Sequence, residues 1–323
     1  MPAKKFTFLF LALFSGIYAL FYLSYYLVNP EQLFSHSLTN KKFFYTKEYS
    51  RRQFEALKHH RYTLIFGTSQ IHRISTKIID RPVLNFHNLY GEPGDILNFL
   101  HQLNKEQIGH IDEIFYCIDL SAKAGREEGK LINYSKKPNY LSFLTREQVA
   151  RTFDDIIWNS KPMTGYLNAD GSIENLDVNR SSRIKPYIYP IKHLYHQKLI
   201  DEILQIDQFA KEHHIAIHYF TPVTSDAFFR SIDFNHLKPF FTALLQGGIK
   251  EIGLYYYIPG MTDIKNRKLV YAAFMDSTHL NVTHLKKWLA HYILNERNPY
   301  LIHDQKELDH YIEQMNQLQE QYK

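Results

Sequence analysis

The sequence predicts an α/β fold: a mostly parallel five-stranded sheet with helices on both faces, a three-layer α/β/α sandwich, preceded by one transmembrane helix. Three observations predict it. Short apolar runs bounded by turn residues alternate along the chain with stretches of helical spacing. Those runs are apolar throughout rather than at every second residue, as expected of parallel strands covered on both faces. Ahead of them all, Phe6 to Val28 carry no charged side chain.

The elements follow in order. A helix over Phe6 to Val28 would span about 34 Å, enough for a hydrocarbon core of roughly 30 Å. Lys4 and Lys5 precede it, and Tyr22, Tyr25 and Tyr26 stand near its far end, where aromatic rings settle at headgroups. The exit Tyr25-Tyr26-Leu27-Val28-Asn29-Pro30 offers no small-x-small cleavage site. Residues 1–29 are therefore expected to be a cytoplasmic tip and signal anchor, with the remaining chain outside. Residues 30–60 read as a connector with a helix near Lys47 to His59.

Residues 61–298 read as the α/β domain. Strands are expected at Tyr62–Phe66, Val83–Phe86, Glu113–Ile118, Ile215–Phe220 and Ile252–Ile258. Helices are expected near Asp95–Leu103, Tyr195–His213, Asn235–Leu245 and Asn281–Leu294. Residues 121–190 are irregular and rich in Gly and Pro, which suggests an inserted cap with one helix near Arg146–Trp158. Residues 299–323 read as a polar helical tail. Its main apolar positions are Leu308, Ile312, Met315 and Leu318, a narrow stripe expected to make only a weak contact.

Composition excludes several functions. The single cysteine, Cys117, rules out an internal disulfide and a Cys-based metal site. The eighteen histidines are scattered, and the adjacent pairs His59-His60 and His213-His214 do not face one site, so no metal and no cofactor is expected. A formal charge of +5 suits a surface near anionic lipid or glycan, and no basic cluster with a readable motif points to nucleic acid.

Three segments carry candidate chemistry, each just past the end of a strand, where open α/β sheets build their sites. In Phe66-Gly67-Thr68-Ser69-Gln70, Ser69 would stand at the mouth of the sheet as a nucleophile or, alternatively, as an ordinary helix cap. In Asn85 to Gly94, Gly91 would let its backbone N–H approach a substrate or would simply make a turn. In Asp276-Ser277-Thr278-His279, the carboxylate could bond Nδ1–H and leave Nε2 as a base, or Asp276 could cap the helix starting near Asn281.

The order Ser69, Gly91, then Asp276-x-x-His279 before the last core helix resembles the SGNH (GDSL-like) hydrolase family. The resemblance covers residues 61–294 and implies the flavodoxin-like SGNH fold. It also implies Ser69 as nucleophile, His279 as base, Asp276 as its orienter, and the N–H groups of Ser69 and Gly91 as oxyanion donors. Two departures stand out. The family's Gly-Asp-Ser is Gly67-Thr68-Ser69 here, and its third-block Asn is lacking, since the third strand ends Cys117-Ile118-Asp119-Leu120-Ser121.

Leu64 to Arg73 and the Asn85–Gly91 spacing look closest to the membrane-anchored branches, which include alginate O-acetylation proteins and the D-alanyl-transfer protein of teichoic acid synthesis. Such proteins work beside a polytopic membrane-bound O-acyltransferase on an extracellular polymer. Two functions stay open: a cell-envelope acyltransferase or esterase with an acyl-serine intermediate, or a catalytically impaired binding or assembly module partnering such an acyltransferase.

Overall fold

The computed structural model describes residues 3–28, 47–87, 92–119, 134, 166–168, 170–174, 197–262, 273–274, 279–294 and 298–321. Helix α1 (Ala3–Val28) comes first. Its stretch Lys4–Leu27 is long and apolar enough to cross a membrane and has no buried segment in its most apolar part. Phe6, Phe10 and Phe14 stack along one side at i, i+4 spacing. The far end is different: Tyr25 is only 1% exposed, so other parts of the protein cover this end of the helix.

After α2 (Lys47–Ala56) the chain enters the sheet through β1 (Tyr62–Phe66). Next come α3 (Thr76–Ile79), β2 (Val83–Asn85), α4 (Pro93–His101), α5 (Lys105–Gly109) and β3 (Ile111–Cys117). A two-residue hairpin pair follows, β4 (Tyr166–Leu167) and β5 (Ile173–Glu174), which pair with each other. Then come α6 (Gln197–Glu212), β6 (Ala216–Phe220), α7 (Asp226–Phe229), α8 (Phe234–Gln246) and β7 (Ile252–Gly253). The chain closes with α9 (Val282–Trp288), extended by a π-helical turn, then β8 (Leu301–Ile302) and α10 (Gln305–Glu320).

The strand order is β2-β1-β3-β6-β7-β8. All pairings are parallel except the last, in which Ile302 and Leu301 run antiparallel to Ile252 and Gly253. The sheet thus has six strands rather than the expected five. The sixth is two residues long, too short to show a periodicity in sequence. The expected strand Ile252–Ile258 is also cut short: Tyr255 N–H bonds the Thr221 hydroxyl instead of a neighbouring strand carbonyl. The helix expected at Arg146–Trp158 lies outside the described residues.

Both faces of the sheet are covered, as the uninterrupted apolar strands require. Leu64 and Phe66 of β1 join Ile114, Tyr116, Phe99, Leu199 and Phe241 in one core cluster. Ile65, on the opposite face, joins Phe115, Cys117, Phe220, Leu285 and Trp288 in another. Burying each such side chain contributes about 1.5–3 kcal/mol, so neither face can be left open cheaply.

The tail departs most from expectation. Helix α10 is capped by Asp304, whose side chain accepts the Glu307 N–H at 2.8 Å. Leu308, Tyr311, Ile312 and Met315 are all at most 5% exposed and belong to the main core cluster. Gln319 Nε2 donates to the carbonyls of Phe229 and Ile232 at 2.7 and 2.8 Å, and Lys238 pairs with Asp309. The segment is a core element, not a weak contact. Tyr311 widens the stripe to i, i+3, i+4, i+7, and α8 supplies the apolar face that receives it.

Candidate active site

The turn after β1 begins with a close approach. A Cβ on Gly67 would stand 2.8 Å from Cys117 Cβ and 2.9 Å from Ile71 Cγ1. Only glycine lets the chain turn here against β3, and Cys117 is the small, buried residue beneath it. Thr68 then caps a single 3₁₀ turn, Ser69–Ile71. The cap position is therefore filled by Thr68, and Ser69 is not used for it. Ser69 is exposed, while Thr68, Ile71, His72, Arg73, Ile74 and Ser75 around it are buried. Ser69 thus stands at the surface of a turn whose neighbours are mostly buried.

His279 reaches it from the far end of the domain. Its Nε2 lies 2.9 Å from Ser69 Oγ, across 210 positions of sequence. The loop that presents it is closed at its base, where Phe274 bridges Leu280 and Asn281 N–H bonds Ala273 O at 2.8 Å. Asn281 caps α9 through its side chain, which accepts the His284 N–H at 3.0 Å. The helix cap that Asp276 might otherwise have supplied is thus Asn281. Asp276 itself, and Gly91, lie outside the described residues.

Two imidazoles that sequence reasoning passed over stand behind this pair. His72 Nδ1 contacts the carbonyl of Ser69, and its ring meets His279 edge-on at 5.4 Å between centroids. His87 meets His72 at 6.2 Å. Each lies within a segment already singled out, three residues after Ser69 and two after Asn85. Their placement there was the available signal.

His87 is fully buried, and burial lowers its pKa to about 3 although a hydrogen bond with the Gly171 backbone opposes the shift. The native state thus holds this ring neutral, whereas the unfolded chain protonates it near the ordinary histidine value of 6.5. Stability from this residue is complete above pH 6.5 and is lost as pH falls toward the folded value of about 3. The expected loss by about pH 4 is roughly 3 kcal/mol. Urea unfolding of wild type and His87→Phe at the two pH values measures it. Equal pH dependence in both proteins would refute the assignment.

Carboxylates frame the site from two sides. Thr68 Oγ1 donates to Asp119 Oδ2 at 2.5 Å, both buried, which ties the Ser69 turn to the end of β3. The hairpin β4–β5 docks on the other side. Its Asp170 carbonyl accepts the Asn85 N–H at 2.7 Å, and its carboxylate accepts the Thr76 N–H at 2.8 Å. Its Ile173 N–H bonds the His72 carbonyl at 2.5 Å. Gly171 makes the fit: its φ is +88°, and a Cβ there would stand 2.3 Å from the Asn85 carbonyl oxygen.

A cavity of about 300 Å³ opens at the other half of the sheet, between Arg81, Glu113, His218, Glu251 and Tyr255, and does not include Ser69 or His279. Burial alone would raise the Glu113 pKa, but the hydrogen bond with His218 and the charge of Arg81 outweigh it and hold it low. Among the described residues no group of three or more His, Cys, Asp or Glu is arranged to hold a metal ion.

Chemically, a hydroxyl against an imidazole at a sheet's mouth is an arrangement for nucleophilic attack with proton transfer to nitrogen. No protein-family model matches the chain, and neither a curated protein nor a solved structure matches it.

Proposed function

We propose that the chain is a membrane-anchored acyltransferase or esterase of the cell envelope, with an SGNH-type three-layer sandwich and an acyl-Ser69 intermediate. The observation that carries this reading is the 2.9 Å contact between Ser69 Oγ and His279 Nε2. Ser69 Oγ attacks the acyl carbonyl, and its proton passes to His279 Nε2. The oxyanion that forms is stabilised by the Ser69 and Gly91 N–H groups. As the carbonyl reforms, the leaving oxygen takes the proton from His279. An acceptor hydroxyl then attacks the ester, gives its proton to His279, and leaves with the acyl group as Ser69 recovers its hydrogen. Asp276 orients His279 throughout. The acceptor is a polysaccharide or related polymer outside the cell, and the acyl donor comes from a polytopic membrane-bound O-acyltransferase.

Treatment of the full-length protein in detergent with a fluorophosphonate, followed by peptide mass spectrometry, tests it. The reagent is expected on Ser69.

One observation favours the second reading, an assembly module without catalysis. Where the family resemblance calls for an asparagine donor after the third strand, this chain has Asp119, whose carboxylate accepts from Thr68. Loss of one oxyanion donor costs on the order of a hundredfold or more. On that reading the wild type does not label, and Ser69→Ala keeps full function in cells.

The anchored arrangement makes a separate prediction. With Lys4 and Lys5 cytoplasmic, a reporter active only outside the cytoplasm, fused after Lys323, is expected to be active. A reporter that works only in the cytoplasm defeats the envelope assignment.

A further inference from the structure

We propose that Asn85 is a positioning residue for Ser69. The inference rests on the acyl-serine reading and concerns what holds the nucleophile in place.

Asn85 is the last residue of β2 and is fully buried. Its Nδ2 donates to two carbonyls, Ile71 O and Ile74 O, each at 2.8 Å. Carbonyls only accept, so the amide can sit only one way round. Its Oδ1 accepts the His87 N–H at 3.0 Å and lies 3.2 Å from His87 Nδ1. Its own backbone is held as well. Asn85 N–H bonds Asp170 O at 2.7 Å, and Asn85 O accepts from Gln53 Nε2 at 2.9 Å.

The two carbonyls that Asn85 holds bracket the stretch Ile71–Ile74, which begins where the Ser69 turn ends. That stretch contains His72, which touches both the Ser69 carbonyl and the His279 ring. One side chain therefore sets the pitch of the turn on which the nucleophile stands, from a strand neighbouring its own. Without the amide, Ile74 O loses the Asn85 donor in a water-excluded place and Ile71 O is left with only the Ile74 N–H at 2.9 Å, so the turn must rearrange to recover a donor. Ser69 Oγ then leaves its line to His279 Nε2, and attack slows without any change in what the site contacts on the reagent.

The test uses full-length protein in detergent, with Asn85→Asp and the smaller, uncharged Asn85→Ser. The readout is fluorophosphonate labelling of Ser69, resolved into maximal rate and half-saturating concentration. Both variants are expected to lower the maximal rate on the order of 10–100-fold, with the half-saturating concentration nearly unchanged. Asn85→Asp is further expected to regain rate relative to wild type as pH falls, because the protonated acid supplies one donor where the carboxylate supplies none. A merely structural role would not produce that pH signature. Maximal rates near wild type in either folded variant, or no relative recovery of Asn85→Asp in acid, overturn the inference. A wild type that does not label at all is a separate result: it defeats the acyl-serine reading, and this inference with it.

Discussion

Ser69→Ala and His279→Ala are each expected to abolish fluorophosphonate labelling, a loss on the order of 10⁴-fold or more in acyl-enzyme formation. The size follows from the chemistry. A serine hydroxyl is a poor nucleophile unless a base takes its proton as it attacks, and the imidazole nitrogen in contact with Ser69 Oγ is His279 Nε2. The two groups act as one unit, so the double variant is expected to lose no more than either single one. Asp276→Asn is expected to reduce labelling strongly, because an amide cannot hold the imidazole in the working tautomer. None of these should lower the thermal midpoint much: Ser69 is exposed and the loop of His279 is closed by backbone bonds rather than by the ring. Labelling retained by His279→Ala in the folded, membrane-inserted protein would sink the proposed role of His279.

Truncation at Pro299 is expected to abolish folding of the domain. It removes β8, the antiparallel edge of the sheet, and with it the partner of Ile252 and Gly253. It also removes Leu308, Tyr311, Ile312 and Met315 from the main core. Four such side chains at about 1.5–3 kcal/mol each amount to roughly 6–12 kcal/mol. That equals the net stability of a typical domain, about 5–15 kcal/mol. A truncated protein that melts cooperatively near the wild-type temperature, by circular dichroism or calorimetry, would show that the helix is dispensable.

These two predictions mark different degrees of legibility. Ser69 and His279 could be picked out because each sits at a boundary the sequence advertises: an apolar run closed by glycine, and a polar loop opening a helix. Their neighbours were less visible. Thr68 and Asn281 take the cap positions that made Ser69 and Asp276 ambiguous, and a cap is a matter of local geometry that residue type alone does not assign. His72, His87 and Asn85 were in view but had no role, because their roles consist of contacts with strands and turns distant in sequence. The hairpin β4–β5 is the same kind of case. Two-residue strands carry no periodicity, and Asp170 and Gly171 matter only through what they touch at Asn85 and Thr76.

The sequence by itself determined the apolar N-terminal helix, the alternation of strand and helix, and the burial of both sheet faces. Each is a property of one contiguous segment: its length, its apolar content, its turn residues. Only the tertiary structure decided that six strands form the sheet, that the last helix belongs to the core, and that Ser69 meets His279. An apolar stripe such as that of α10 is stabilising only against a complementary face, and that face, on α8, lies far earlier in the chain. A 2.9 Å contact between residues 210 positions apart depends on the path of every element between them. Short-range patterns report what a segment can bury; which segment it is buried against is settled by packing the whole chain at once.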